Sequence, residues 1–348
     1  MRVIVTGGAG YIGSHTVEQL LIHGYPVRVL DKLMYGNQSL IDFRDDRDFE
    51  FIEGDASDLR KVGSAMRDAS AVIHLAGLVG DPACAVDTEF TRHTNIVTTR
   101  MAKDIAQSLG VRRFVFASSC SVYGASDVEV DELGKLNPVS LYAQTKIDSE
   151  HELLASRPDD FLVTILRFAT VFGHSRRHRF DLVANLLTAQ AMTEGLITVI
   201  GPDQWRPLIH VRDVARAVVA VLDADPLKVD GQIFNVGDAR LNMSILQLAH
   251  VVRDVTSKYR DVEISVRDDV DDQRNYVVSF AKIRSVLGYR AETSIEDGVR
   301  EMAEHFRSNQ YQPYRDEIYS NVAMIRKVLI ADPDPAELMH RYDPVHLA

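Results

Sequence analysis

Residues 2–13 read Arg2-Val3-Ile4-Val5-Thr6-Gly7-Gly8-Ala9-Gly10-Tyr11-Ile12-Gly13. The opening run is short, apolar and β-branched, which suits a strand buried on both faces of a parallel sheet. Glycines 7, 10 and 13 fall where that strand turns into a helix. Bare backbone there lets a pyrophosphate approach the N–H groups at the helix start, and the helix dipole favours negative charge. The spacing is GxxGxxG, not the GxGxxG of the standard dinucleotide fingerprint. A glycine triplet alone also fits a tight turn that only needs glycine. Context decides between the two: a strand precedes, a helix over about 11–23 follows, and Asp31 ends the next strand. An acid there accepts hydrogen bonds from the adenosine ribose and repels a 2′-phosphate, which favours NAD over NADP. Lys32 and Arg28 nearby blunt that preference.

Outward from this loop, short apolar runs alternate with amphipathic stretches. Strands are predicted at Arg2–Thr6, Val27–Leu30, Glu50–Glu53, Ala71–Leu75, Arg113–Ala117 and Leu162–Arg167. Helices are predicted near 11–23, 58–68, 87–109 and 140–156. This alternation implies right-handed crossovers and a Rossmann-type, doubly wound parallel sheet in an α/β protein. After about residue 170 the rhythm loosens, with helices at 181–194, 211–223, 244–257, 281–287 and 294–308 and strands at Ile197–Ile200, Gln232–Val236 and Val262–Val266. The reading divides the chain into a nucleotide domain over 1–170, with 205–240 available to complete it, and a smaller α/β substrate region over 171–348. The tail from about 311, with Pro313, Pro333, Pro335 and Pro344, reads as helix pieces joined by turns.

Composition narrows the function. The chain has 348 residues, 46% of them hydrophobic, enough for a sizeable core. A formal charge of −11 argues against a broad nucleic-acid surface. Two cysteines, Cys84 and Cys120, are too few for a disulfide framework and suit a reducing cytoplasm. No leader precedes the first strand, and no apolar run reaches the ~20 residues that span a bilayer. The expectation is a cytoplasmic protein without membrane or nucleic-acid partners.

Two further strand ends, Gly54-Asp55 and His74-Leu75-Ala76-Gly77, lie where open α/β sheets bind ligands. Asp58 is the better N-cap for the helix that follows, which leaves Asp55 to face the adenine. His74 reads as a packed strand residue. The fifth strand ends in Ala117-Ser118-Ser119-Cys120-Ser121-Val122-Tyr123-Gly124, and a helix opening near Ser140 carries Tyr142 and Lys146 on one face. A tyrosine normally keeps its proton to about pH 10. A nearby ammonium stabilises the phenolate and brings it into range as a base, while a serine hydroxyl holds the substrate oxygen. An isolated Tyr/Lys pair would more simply line a surface; the nucleotide loop upstream tips the reading to chemistry. No metal-ligand cluster and no GxSxG elbow competes.

With these pieces in place the chain resembles the extended short-chain dehydrogenase/reductase family, in its nucleotide-sugar epimerase/dehydratase branch. The resemblance rests on Thr6–Gly13, Asp31, Gly54-Asp55, His74–Gly77, Ser118–Gly124, Tyr142–Lys146, Leu166–Phe168 and Trp205–Asp213, and covers about residues 1–300. It implies bound NAD, a nucleotide-diphosphate sugar as substrate, and a homodimer formed through paired helices. It further implies Tyr142 as base, Lys146 as its partner, and Ser119 as the catalytic hydroxyl. The cofactor side comprises Gly7, Gly10, Tyr11, Ile12, Gly13, Asp31, Lys32, Asp55, Ala56, Leu75, Ala76, Gly77, Asn95, Tyr142 and Lys146. The substrate side comprises Ser119, Cys120, Ser121, Thr170, Arg179, Arg206 and Arg274. Arg206 matches the arginine that grips the substrate diphosphate, a task for which a fixed fork of donors suits phosphate oxygens. Arg274 is similar to a second such arginine. Arg179 belongs to a basic segment, His174–Arg179, read as helping to hold diphosphate. Thr170 stands where family epimerases often carry Asn.

The reaction is sorted by the two positions after Ser119. In the family's 4,6-dehydratases these are Asp and Glu; here they are Cys120 and Ser121. The leading expectation is therefore 4-epimerisation by transient oxidation at C4. A 4-ketoreductase or C4 dehydrogenase comes second, a dehydratase third, and a non-catalytic NAD sensor or scaffold is the alternative outside enzymes. Cys84 and Cys120 are expected mainly to pack.

Overall fold

A computed structural model describes residues 1–331 apart from 156, 159, 268–273, 309, 310 and 312. Pro333, Pro335 and Pro344 of the tail lie outside the described residues. The elements in chain order are β1 Val3–Thr6, α1 Gly13–Ile22, β2 Val27–Asp31, β3 Phe49–Glu53, α2 Leu59–Met66, β4 Ala71–His74, α3 Asp81–Cys84, α4 Thr88–Arg92, α5 Thr98–Ser108, β5 Arg113–Ser119, α6 Leu141–Ala155 and β6 Leu162–Phe168. There follow β7 Thr170–Phe172, α7 Val183–Glu194, β8 Leu196–Ile200, β9 Trp205–His210, α8 Val211–Asp223, α9 Pro226–Val229, β10 Gln232–Val236, β11 Asn242–Ser244, α10 Ile245–Thr256, β12 Glu263–Arg267, α11 Ala281–Leu287, α12 Ile295–Arg307 and α13 Asn321–Ala331. None of these helices is long and apolar enough to cross a membrane.

Seven parallel strands form the main sheet in the order β10-β6-β5-β4-β1-β2-β3. Strand alternation sorts the apolar residues to two cores. Val3, Val5, Val29 and Ile73 point one way, onto Val17 and Leu20 of α1 and Val214, Val218 and Val221 of α8. Ile4, Leu30, Val72, Phe114 and Phe116 point the other way, onto Val62 and Met66 of α2, Ala102 of α5 and Leu153 of α6. Both faces are covered, so the strands read as nearly unbroken apolar runs. A third core, with Phe172, Leu187, Ile197, Val199, Leu208, Leu248, Val252, Val299 and Met302, joins α7, α10 and α12 to two small sheets. Those sheets are β11-β9-β7 and β12-β8.

The structure departs from the sequence reading in places. β7, β9 and β11 are too short or too mixed to show a period, and were not predicted as strands. The single helix expected over 87–109 is broken: a π-helical turn, His93–Val97, separates α4 from α5. Hydroxyls draw on the carbonyls that would close the α-turn there. Thr98 donates to Thr94 O, while Thr99 at 2.7 Å and Ser149 at 3.0 Å both donate to Asn95 O. Asp58 does cap α2, accepting from the N–H groups of Arg60 and Lys61.

Buried histidines make the fold acid-sensitive. His74 is fully buried in β4 between the hydroxyls of Thr6 and Thr99, and burial holds its pKa down at about 3. His178, packed against Phe180 and Tyr311, is also depressed by burial. The unfolded chain takes up these protons near pH 6.5 and the folded chain only far below it. Stability is therefore complete above that pH and lost as pH falls, by about 1.4 kcal/mol per pH unit for each group. Urea denaturation at pH 7.5 and 5.5 should show the drop, and His178→Phe should remove only part of the slope, because His74 and His174, which burial also depresses to about 3, keep theirs.

Candidate active site

The strand order reverses between β1 and β4, and a groove runs along the carboxyl ends of the strands at that switch point. At one end sits the glycine loop. Gly7 has φ +76°, and a Cβ there would lie 2.8 Å from Ala76 N. A Cβ on Gly13 would lie 2.2 Å from the carbonyl oxygen of Gly7. No side chain caps the N-terminus of α1, and no acid occupies its first turn. Its N–H groups thus face a groove that only bare backbone leaves open, an arrangement suited to a diphosphate. Gly10, Tyr11 and Ile12 line the same wall.

Asp31 ends β2 and also lines the groove; its carboxylate accepts from Ala9 N at 3.0 Å and Leu33 N at 2.8 Å. Burial raises its pKa. Lys32 pairs with Asp55 at 3.1 Å, and Ala56 continues that rim. The salt bridge and the Ser57 hydrogen bonds outweigh burial and keep the Asp55 carboxyl below its usual range. Leu75, Ala76 and Gly77 form the floor beyond β4.

At the centre, β5 delivers Ser119 and α6 delivers Tyr142 and Lys146, all lining the groove. The Ser119 side chain lies close enough to the Tyr142 hydroxyl to favour the phenolate. Lys146 Nζ donates to Ala117 O at 2.8 Å, lies 4.8 Å above the Phe116 ring, and is 5.8 Å from the Tyr142 ring centre. Burial lowers the Lys146 pKa to about 8. Burial also raises the Tyr142 pKa well above its ordinary value, with the nearby Cys84 adding to the rise.

At the far end are Ser121, Thr170, Arg179 and Arg274. Arg179 forks onto Asp181. Arg274 pairs with Asp81 at 3.1 Å, and the other oxygen of Asp81 accepts from Ser140 at 2.7 Å.

With the geometry in view, comparison with known proteins is informative. The sequence profile of the NAD dependent epimerase/dehydratase family matches residues 3–237. The chain belongs to that family. A UDP-glucose 4-epimerase of Bacillus subtilis is 30% identical over 85% of this chain and 94% of its own length. A dTDP-glucose 4,6-dehydratase of Streptomyces niveus is 28% identical over 89% of this chain and 94% of its own. The structure of a dTDP-glucose 4,6-dehydratase from Streptomyces venezuelae, solved with NAD bound, superposes with a TM-score of 0.80 at 28% identity, covering 90% of this chain and 100% of that one.

The cofactor of this epimerase/dehydratase is NAD, and the glycine cradle and uncapped helix fit it. Three expected ligand contacts are corrected by the structure. Cys120 does not reach the groove: it is buried under it, its Sγ 3.3 Å from Arg167 O, and burial pushes its thiol far up. Arg206 is buried away from the groove, because its guanidinium bonds the carbonyls of Trp205 and Arg274 and the Gln204 side chain. It braces the backbone that carries Arg274. Asn95 does not line the groove either. Its amide bonds both backbone groups of Leu78, at 2.8 and 3.0 Å, and the Thr145 hydroxyl at 3.1 Å, so it ties the Gly77-Leu78 floor to α6. Cys84 packs with Leu78, Phe90 and Ile325 beside Tyr142, its thiol pushed up to about 12 by burial.

The sequence reading missed Tyr35, Thr94, Arg177, Tyr276 and Asn321, all of which line the groove. Thr94 is turned in by the π-helical turn, which leaves no periodic signature. Arg177 lies two residues before Arg179, inside the basic segment His174–Arg179 that was read as helping to hold diphosphate, but was not singled out there.

Proposed function

We propose that this family member is a nucleotide-sugar 4-epimerase that oxidises C4 transiently and reduces it again on the opposite face. The observation that carries the reading is the composition of the positions beyond Ser119. Cys120 is turned into the core and Ser121 offers only a hydroxyl, so no acid/base pair for removing water stands there. The family resemblance to a UDP-glucose 4-epimerase supports the same choice.

Tyr142 takes the O4 proton, and Ser119, beside its hydroxyl, holds O4 in line. NAD, when bound, would supply the hydride acceptor and donor for C4. The resting phenol is protonated, since burial raises its pKa. Ionisation therefore requires positive charge at the groove, to which Lys146 contributes while it keeps its proton, below about pH 8. Lys146 is fixed for that task by Ala117 O and the Phe116 face. Arg274 and Arg179 hold the diphosphate of the sugar nucleotide, and Thr170 and Ser121 border the sugar. The homodimer through paired helices belongs to the same proposal.

The test is incubation with UDP-, dTDP-, GDP- and CDP-hexoses while C4 configuration is followed by NMR. Interconversion of C4 epimers without net NADH is the expected result. A stable 4-keto product or stoichiometric NADH would overturn it.

A further inference from the structure

Apart from Lys146, fixed by Ala117 O beside Tyr142, the cations lining the groove differ in one respect. Lys32 is paired with Asp55, Arg179 with Asp181 and Arg274 with Asp81. Arg177 is only 7% exposed, yet among the described residues no carboxylate forms an ion pair with it. Its Nη2 donates to Asn321 Oδ1 at 2.6 Å, its guanidinium lies 3.8 Å over the Tyr35 ring, and its Nε has no hydrogen-bond partner. A buried guanidinium with no carboxylate in contact is costly; Asp181, forked by Arg179, acts on it only from a distance, and burial lowers its pKa to about 10. Such a group fits a site completed by an anion.

The surroundings say which anion. The segment around Arg177 is bound to the glycine loop and the start of α1. Tyr11 donates to Gly173 O at 2.7 Å, Ser175 donates to Tyr11 O at 2.8 Å, and His15 meets His174 O at 2.9 Å. Tyr35 stands four residues beyond Asp31. Asn321, at the start of α13, also donates to Val79 O at 3.0 Å, just past the Gly77 floor. Arg177 thus lines the groove on a segment fastened to the glycine loop and the start of α1.

We infer that Arg177, positioned by Asn321 of the C-terminal helix, supplies the counter-charge to the diphosphate of bound NAD. The helix α13 is then part of the cofactor site: Ile325 buries into the cluster that packs on Tyr142, while Asn321 presents Arg177. This rests on the cofactor reading of the groove and is independent of which sugar reaction follows.

The experiment is NAD titration by calorimetry, with thermal midpoints taken without NAD, on the full chain, Arg177→Met and Asn321→Asp. Arg177→Met should weaken NAD about 10- to 100-fold, the range of a charge-assisted hydrogen bond. Its midpoint without NAD should be unchanged or higher, because an uncompensated charge is gone. Asn321→Asp places a carboxylate on the guanidinium, so it should raise the NAD-free midpoint and weaken NAD. Folded variants that bind NAD within twofold of wild type, or that lose affinity only for UDP, would overturn the inference. A wild-type chain that takes up no NAD would instead remove the cofactor reading itself.

Discussion

Tyr142→Phe is expected to lower kcat by about 10²- to 10⁴-fold, the range of a positioned proton-transfer group, and to leave NAD bound. The hydroxyl is the only group removed, and it is the one that stands beside Ser119. The ring stays packed against Leu78, Ala83, Cys84 and Ile325, so the groove keeps its shape. Steady-state kinetics on the accepted sugar nucleotide, together with NAD content, separates the roles. A protein that merely senses NAD would be indifferent to the change, and unchanged turnover would remove Tyr142 from the chemistry.

The second large effect concerns stability. Directly behind Ser119 lies a buried polar network. Arg167 and Glu150 are 2% and 1% exposed, and the guanidinium contacts both carboxylate oxygens at 2.6 to 3.2 Å. Ser118 donates to the same carboxylate at 2.5 Å, Arg167 also donates to the Tyr123 hydroxyl at 2.9 Å, and Tyr123 in turn donates to Asn235 at 2.7 Å. Glu150→Ala strands a guanidinium in the core and should cost about 3–5 kcal/mol in urea denaturation. Replacing both partners, Glu150→Leu with Arg167→Met, should cost clearly less, since no charge is then left unpaired. A single change as mild as the double one would mean that water reaches Arg167.

Much of the nucleotide half could be read from the residues because its signals are local. A strand buried on both faces announces itself as an apolar run, as Val3–Thr6 and Ala71–His74 do. A groove that admits diphosphate announces itself as glycine, as at Gly7 and Gly13. Direction is not local. Arg206 matches a ligand-gripping arginine in sequence, yet its fork is satisfied by carbonyls and turned from the groove. Cys120 lies between two groove-lining serines but sits on the inner side of a 3₁₀ turn, Cys120–Tyr123. Arg177 and Asn321 meet across 144 positions of chain, a pairing that no spacing rule encodes. The π-helical turn arises from hydroxyls competing for two carbonyls, a contest that composition does not reveal.

The two small sheets and the helices packed on them are joined to the main sheet by very short crossings. One residue, Ala169, separates β6 from β7; β9 runs straight into α8; and Gly237 follows β10 directly. The first and last of these are stitched together by Ala169 N to Val236 O at 3.0 Å. A hinge needs a few residues free to change φ and ψ, and these seams provide none to spare. Opening by a swing of one half against the other would have to bend all three at once. Ligand traffic is thereby left to side chains and surface segments at the mouth, and those local openings set how long a guest stays.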